Sequence, residues 1–274
     1  MNLSKYRALL LVPLVACLVL VAGVLATAPG ATRLHFYRYE IIAVKGLATF
    51  GCLWAALGFR RGDYLQRAWA FLCGSYLLLL VIDLFFAPPA HSGVTGFSPM
   101  AMRVRGTIVL VSNLCAVIGT FMLARAWKET GLEAPFAPTT RRVIGISFTV
   151  VVLVVVGQSI YVDGRDLLGG NLQGFAGLAS DVGDLITLLL IVPVLLTALA
   201  LRGGALGWAW MLLAATQFCW LLYDAAGTVG FALHLEHAEL RPVEELFRTL
   251  ACTFALTSGV AQRMAIAASR PSAA

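Results

Sequence analysis

The chain has 274 residues, of which 60% are hydrophobic and 12% charged, and its mean hydropathy is +0.87. Soluble domains carry a charge at roughly a quarter of their positions, so this composition excludes a soluble globular protein and indicates an integral membrane protein. The formal net charge of +6 does not require an acidic partner, because membrane proteins retain Lys and Arg on their cytoplasmic side.

Eight hydrophobic segments predict an all-α integral membrane protein. A helix of about 20 apolar residues crosses a bilayer core of about 30 Å, and such segments lie at 8–28, 37–59, 66–87, 105–126, 143–162, 181–201, 207–230 and 245–264. The first segment starts like a signal peptide, but its apolar stretch is longer than usual, and we expect it to remain as a span. The connections are too short for a soluble catalytic domain or a nucleic-acid-binding domain.

The basic residues predict the orientation of these spans. Lys and Arg gather in alternate connections, for example at Arg60 and Arg61 after the second segment and at Arg141 and Arg142 before the fifth. Because such residues stay on the cytoplasmic side, we expect both termini to be cytoplasmic. The expected location is the plasma membrane, which is the inner membrane if the source is bacterial, with the lipid bilayer as the main partner.

The two halves of the chain resemble each other in their rarer residues. At a shift of 141 positions, Glu40 aligns with Asp181 and Asp83 aligns with Asp224, and an Arg-Gly and an Ala-Trp pair align between them. This spacing predicts two tandem four-helix repeats, which insert in parallel orientation because four is an even number. The predicted units are a first repeat at 1–128, a cytoplasmic linker at 129–142, a second repeat at 143–264 and a cytoplasmic tail at 265–274.

Ionisable residues inside the spans mark the candidate site, because a charge within a membrane is costly and suggests a function. A rise of 1.5 Å per residue places these residues in one layer near the predicted outer face. The predicted ligand-binding residues are Asp83 and Asp224, assisted by Glu40, Asp181 and Asp184. The structural alternative is that the acids only hold helices together, and the candidate ion-pair partners are Arg103, Arg105, Arg248 and Lys45.

These features favour a non-enzymatic protein that binds a small polar or cationic ligand from the outer side, for sensing or for transport. The repeat and Pro193 in the sixth segment favour transport, whereas a site near the surface favours sensing. The compact bundle with short loops is similar to the membrane sensor regions of bacterial signalling proteins. That similarity implies that sensing would need a signalling partner protein.

A pair of histidines supports an alternative from another class. His234 and His237 lie three residues apart beside Glu236 and Glu239, and imidazole and carboxylate groups can bind a divalent metal such as zinc. The alternative function is therefore a metal-dependent membrane hydrolase with a site at the outer face. The spacing matches neither HExxH nor HxxEH, so a solvated loop is the simpler interpretation, and no other cofactor is predicted.

Overall fold

The computed structural model of the protein describes residues 4–86, 99–129, 137–170, 172–201, 204–235 and 237–269, and within these ranges the regular elements are all α-helices. The helices are α1 Ser4–Ala8, α2 Leu11–Ala26, α3 Ala31–Ala56, α4 Tyr64–Phe85, α5 Pro99–Glu129, α6 Pro138–Leu168, α7 Leu172–Leu189, α8 Ile191–Ala200, α9 Ala205–Ala232 and α10 His237–Ser269.

Eight stretches of helix in the described residues are long and apolar enough to cross a membrane. The first span combines α1 and α2, the sixth combines α7 and α8, and each of the other six is a single helix. The prediction of an all-helical protein with eight hydrophobic helices is therefore confirmed. The predicted repeats and the cytoplasmic location of the termini stay predictions.

Among the described residues, two spans are interrupted three or four residues before a proline. The ring of proline clashes with the carbonyl group four residues earlier in a helix. Pro13 follows the interruption between α1 and α2, and Pro193 follows the one at Leu190 between α7 and α8. The sixth span therefore consists of two shorter helices, as the position of Pro193 suggested.

Several helices extend beyond the segments that hydropathy identified. The predicted outer connection at 163–180 is largely helical, because α6 continues to Leu168 and α7 begins at Leu172. Likewise α10 begins at His237, whereas the eighth hydrophobic segment begins at residue 245. Pro242, which precedes that segment in the sequence, therefore lies inside the helix. Hydropathy locates the part of a helix that matches the lipid core, whereas the helical hydrogen bonds continue into polar turns. Part of the predicted linker, 130–136, lies outside the described residues.

Six of the spans pack in a closed ring. Around the ring, α3 contacts α4, α4 contacts α5, α5 contacts α7, the α7–α8 span contacts α9, α9 contacts α10, and α10 returns to α3. The remaining two spans lie outside this ring, with α2 against α10 and α3, and α6 against α7 and α9. One end of the ring is filled by a core that includes Trp69, Cys52 and Ala198.

Glycines allow α3 and α10 to approach closely. A Cβ atom at Gly51 would lie 2.5 Å from the Cα atom of Leu256, and one at Gly259 would overlap the carbonyl oxygen of Gly51. Small residues have this role in membrane bundles, where packing between backbones replaces the hydrophobic effect as the driving force. The same pair of helices is joined by a hydrogen bond from the Thr249 hydroxyl to Glu40 at 2.6 Å.

This crossing predicts different effects for two alanine substitutions in α3. Gly51→Ala should lower the free energy of unfolding by about 1–3 kcal/mol, because the new methyl group is forced against the backbone of α10. Gly46→Ala is the matched control, since nothing lies within 4 Å of its Cβ position. Equilibrium unfolding in detergent measures both variants, and equal stabilities would contradict the described crossing.

Candidate ligand-binding site

A polar cavity of about 270 Å³ lies between the six spans of the ring. It is called the polar cavity below, and all six spans contribute side chains to it. Its polar and aromatic lining residues are Lys45, Ser75, Tyr76, Asp83, Arg105, Asn113, Ser180, Asp184, Gln217, Trp220, Tyr223, Asp224 and Arg248. Charged groups are rare within membrane spans and mark binding sites or ion pathways, so this cavity is the candidate site.

The polar cavity reaches from one end of the bundle to the middle of its helices. Asp83 lies two residues before the end of α4, whereas Ser75 is the twelfth of the 22 residues of that helix. Eight residues separate the two, which corresponds to about 12 Å along the helix. Gln217 is similarly central in α9, as its thirteenth residue of 28. The site is therefore deeper than the layer near the outer face that the sequence predicts.

Asp83 is engaged in an ion pair within this cavity. The Lys45 ammonium group on α3 donates a hydrogen bond to the Asp83 carboxylate on α4. The Lys45 side chain is 9% exposed and that of Asp83 is 21% exposed, so most of the surface of both charged side chains is covered by other residues of the protein. A pair in this environment stabilises the contact between its helices mainly because either charge alone would be strongly unfavourable.

Arg248 is also held by neighbouring groups. Its guanidinium group donates a hydrogen bond to the Tyr223 hydroxyl at 2.8 Å and lies 4.8 Å from the centre of the same ring. On the other side, it is 3.3 Å from the carboxylate of Glu245, a residue that is only 2% exposed and is also 3.5 Å from Arg241. The charge of Arg248 is thus partly balanced by a carboxylate that does not line the cavity.

Asp224 differs from Asp83 because it has no ion pair within the described part of the chain. Its Oδ2 atom is buried and lacks a hydrogen-bond partner among the described residues. The neighbouring carboxyl groups within electrostatic range are those of Asp184 and Asp181. Asp184 accepts a hydrogen bond from Ser180 at 3.3 Å. An incompletely satisfied carboxylate in a polar cavity is suited to receive a cationic group.

The other predicted site residues occupy different places. Glu40 lies outside the cavity lining, where it accepts the hydrogen bond from Thr249, and its second oxygen is buried without a described partner. Asp181 is also outside the lining, although it is one turn from Asp184 on α7. Among the candidate basic partners, Lys45, Arg105 and Arg248 line the cavity, whereas Arg103 is exposed near the start of α5.

The two histidines lie in the connection between α9 and α10. His234 is exposed in the turn after α9, with a positive φ of 54°, and His237 is the first residue of α10. The described residues contain no group of three or more His, Cys, Asp or Glu side chains arranged to hold a metal ion. The metal-dependent hydrolase remains an alternative for which no described contact offers support.

Several cavity residues were missed by the sequence analysis. Asn113, Gln217 and Ser180 line the cavity but are uncharged, so they do not stand out as ionisable residues within a span. An amide in the middle of an apolar span is itself unusual, so Asn113 and Gln217 carried a usable signal. Nothing in the sequence indicated which face of α4 or α9 would turn Ser75 and Trp220 inward.

Comparisons with models of known protein families, with curated proteins and with solved structures found no match for this chain. The function is therefore inferred from the geometry of the site.

The Lys45–Asp83 pair predicts a characteristic pattern of stabilities. Lys45→Met alone should lower the free energy of unfolding by about 3 kcal/mol, since Asp83 is then left without its cation. The double variant Lys45→Met with Asp83→Leu should recover most of this loss, because no charge remains. Unfolding titrations of the two single variants and the double variant measure the coupling. Additive losses would show that the pair has no structural role.

Proposed function

We propose that the protein binds a small organic cation in the polar cavity and carries it across the membrane. The observation that supports this most strongly is the buried Asp224 oxygen without a described partner, next to Asp184 in the same cavity. A cationic group placed there would compensate two carboxyl groups that lack ion pairs among the described residues. Coulombic attraction at contact distance is strong away from bulk water.

The charges that surround Asp224 support a cation over an anion. Lys45 is paired with Asp83, and Arg248 shares the carboxylate of Glu245 with Arg241. Two of the basic side chains in the cavity are therefore already engaged with carboxylates. Asp184 on α7 and Asp224 on α9 have no such partner among the described ion pairs. The part of the cavity between these two helices is therefore suited to positive charge.

The aromatic lining favours an organic ammonium ion over a small metal ion. Tyr76, Trp220 and Tyr223 line the cavity beside the carboxylates. The rings of Trp220 and Tyr223 meet edge to face, with centroids 5.7 Å apart. Aromatic faces attract ammonium groups through their quadrupole, as in the aromatic cages that bind quaternary ammonium ligands. Arg248 already lies 4.8 Å from the centre of the Tyr223 ring, so this expectation depends mainly on Tyr76 and Trp220. The volume of about 270 Å³ admits a small ion of this class.

Three features support transport over sensing. The cavity reaches Ser75 and Gln217 at the middle of their helices, where transporters usually place their substrate sites. The sixth span is interrupted at Leu190, and broken spans are common at transporter sites. The third feature is the order of helices in the ring, which is compatible with an internal duplication.

Under the predicted duplication, α3 and α4 correspond to the α7–α8 span and α9, and α5 corresponds to α10. Each contact around the ring then has a counterpart, since α3 contacts α10 and the α7–α8 span contacts α5. The alignment also accounts for the difference between the two aspartates. Lys45 aligns with Ile186, so the repeat that contains Asp224 has no equivalent lysine. We propose two repeats in parallel orientation with cytoplasmic termini, in a plasma membrane.

Binding of tetramethylammonium tests the proposed site. Purified protein in lipid nanodiscs should bind the labelled ion saturably, and Asp224→Asn should weaken binding at least about tenfold, because an opposite charge in contact contributes more than about 1.4 kcal/mol outside bulk water. Asp63→Asn is the matched control, since Asp63 is exposed and accepts a hydrogen bond from the Arg60 backbone at 2.9 Å. Binding that is absent in wild type, or equal in both variants, would refute the proposal.

Proteoliposomes separate transport from sensing. Because tetramethylammonium is permanently charged, it crosses lipid slowly without a carrier. Vesicles that contain the wild-type protein should take up the labelled ion faster than protein-free vesicles, and Asp224→Asn should reduce the initial rate to that of protein-free vesicles. Saturable binding without uptake would favour a sensor.

A further inference from the structure

A second, apolar cavity lies beside the polar one. It has a volume of about 310 Å³ and is called the apolar groove below. Leu110, Leu114 and Val117 of α5 form one wall, and residues of α7, including Val182 and Ile186, form the other. Leu114 is 51% exposed and Val182 is 40% exposed, so the groove opens on the outer surface of the bundle, where lipid surrounds the spans.

Helix α7 is the partition between the two cavities. Ala179, Val182 and Gly183 line the apolar groove, whereas Ser180 and Asp184 line the polar cavity. These residues alternate as the helix turns, so opposite faces of one short helix border a polar and an apolar space. The helix ends at Leu189, immediately before the interruption of the sixth span, and it is therefore not continuous with α8.

Asn113 of α5 borders both cavities. Its side-chain amide donates a hydrogen bond to the backbone oxygen of Ala179 at 3.0 Å, with that of Ser180 at 3.4 Å. A Cβ atom at Gly183 would lie 2.5 Å from the Cβ atom of Asn113, so α7 accommodates this side chain through a glycine. Asn113 thus lies at the contact between α5 and α7 that separates the two cavities, and it is held there by hydrogen bonds to the backbone of α7.

We propose that the ligand is an amphipathic ammonium ion, with its head group in the polar cavity at Asp224 and Asp184 and its hydrocarbon chain in the apolar groove. The hydrocarbon chain of the ligand passes between α5 and α7 at Asn113. The two helices separate there when the hydrogen bonds from the Asn113 amide to α7 break. This proposal rests on the proposed cation site and adds the chemical class of the ligand. Carboxylates on one side and an almost wholly apolar lining on the other complement the two parts of such a molecule.

Competition with tetramethylammonium tests this proposal, because it reports only on occupancy of the head-group site. Unlabelled dodecyltrimethylammonium, which has the same head group and a long chain, should displace the labelled ion from wild-type protein in nanodiscs. Leu114→Trp and Val182→Trp fill the groove from different helices. Each should weaken displacement by the long-chain ion about tenfold, because a few methylene groups of its dodecyl chain no longer fit in the apolar groove. Tetramethylammonium should bind to both variants with unchanged affinity.

Ile118→Trp is the matched control. Ile118 is 39% exposed on α5, one turn from Leu114, and does not line the groove. Partition of the long-chain ion into nanodisc lipid is the same for all variants, so it does not affect their comparison. Thermal unfolding of each variant verifies its fold, and the second tryptophan variant decides if the first does not fold.

The outcomes separate the two proposals. Suppose that dodecyltrimethylammonium displaces the labelled ion equally well from both tryptophan variants, while binding of tetramethylammonium still requires Asp224. The groove then holds only an acyl chain of the bilayer, and the proposal of an amphipathic ligand is wrong. If tetramethylammonium does not bind at all, the proposed cation site itself is wrong. A selective loss of long-chain displacement in Leu114→Trp or Val182→Trp, but not in Ile118→Trp, supports an amphipathic ligand.

Discussion

Ionisable side chains inside membrane-spanning helices have to be compensated, and the central part of this bundle is arranged around that requirement. Lys45 and Asp83 join α3 to α4, and Arg248 joins α10 to Tyr223 of α9. Each contact crosses a helix interface in the ring, so compensation of charge and packing of helices occur together. Asp224 lies among these groups with one oxygen that no described residue compensates.

Two of the basic groups that line the cavity have carboxylate partners other than Asp224, since Lys45 pairs with Asp83 and Arg248 with Glu245. Glu245 is 2% exposed and lies against both Arg241 and Arg248. Arg248 therefore has a carboxylate partner outside the lining, whereas Asp83 pairs with Lys45 and Asp224 has no ion pair among the described residues.

Much of the fold could be predicted from the sequence, because hydrophobic length is a direct consequence of bilayer thickness. The site was predictable in part. Asp83 and Asp224 were selected as rare charges within spans, and both line the same cavity. Asp181 and Asp184 could not be separated by their sequence alone, since they lie one turn apart on α7 and the rotation of that helix decides which one faces the cavity.

The choice of ion-pair partner was also beyond the sequence. Four basic residues were candidates, and Lys45 pairs with Asp83 because α3 and α4 are neighbours in the ring. This order follows from contacts between distant parts of the chain, such as the glycine crossing of α3 and α10. Helix ends were also not predictable from hydropathy, because α7 and α10 begin in sequence that hydropathy assigned to connections.

In the proposed function, the Asp224 carboxyl group itself receives the cation. Infrared difference spectroscopy of the protein in lipid, recorded as tetramethylammonium is added, observes carboxyl groups directly. We expect a change in the carboxyl stretching region that is lost in Asp224→Asn and retained in Asp63→Asn. A ligand-induced change that persists unaltered in Asp224→Asn would contradict the proposed function.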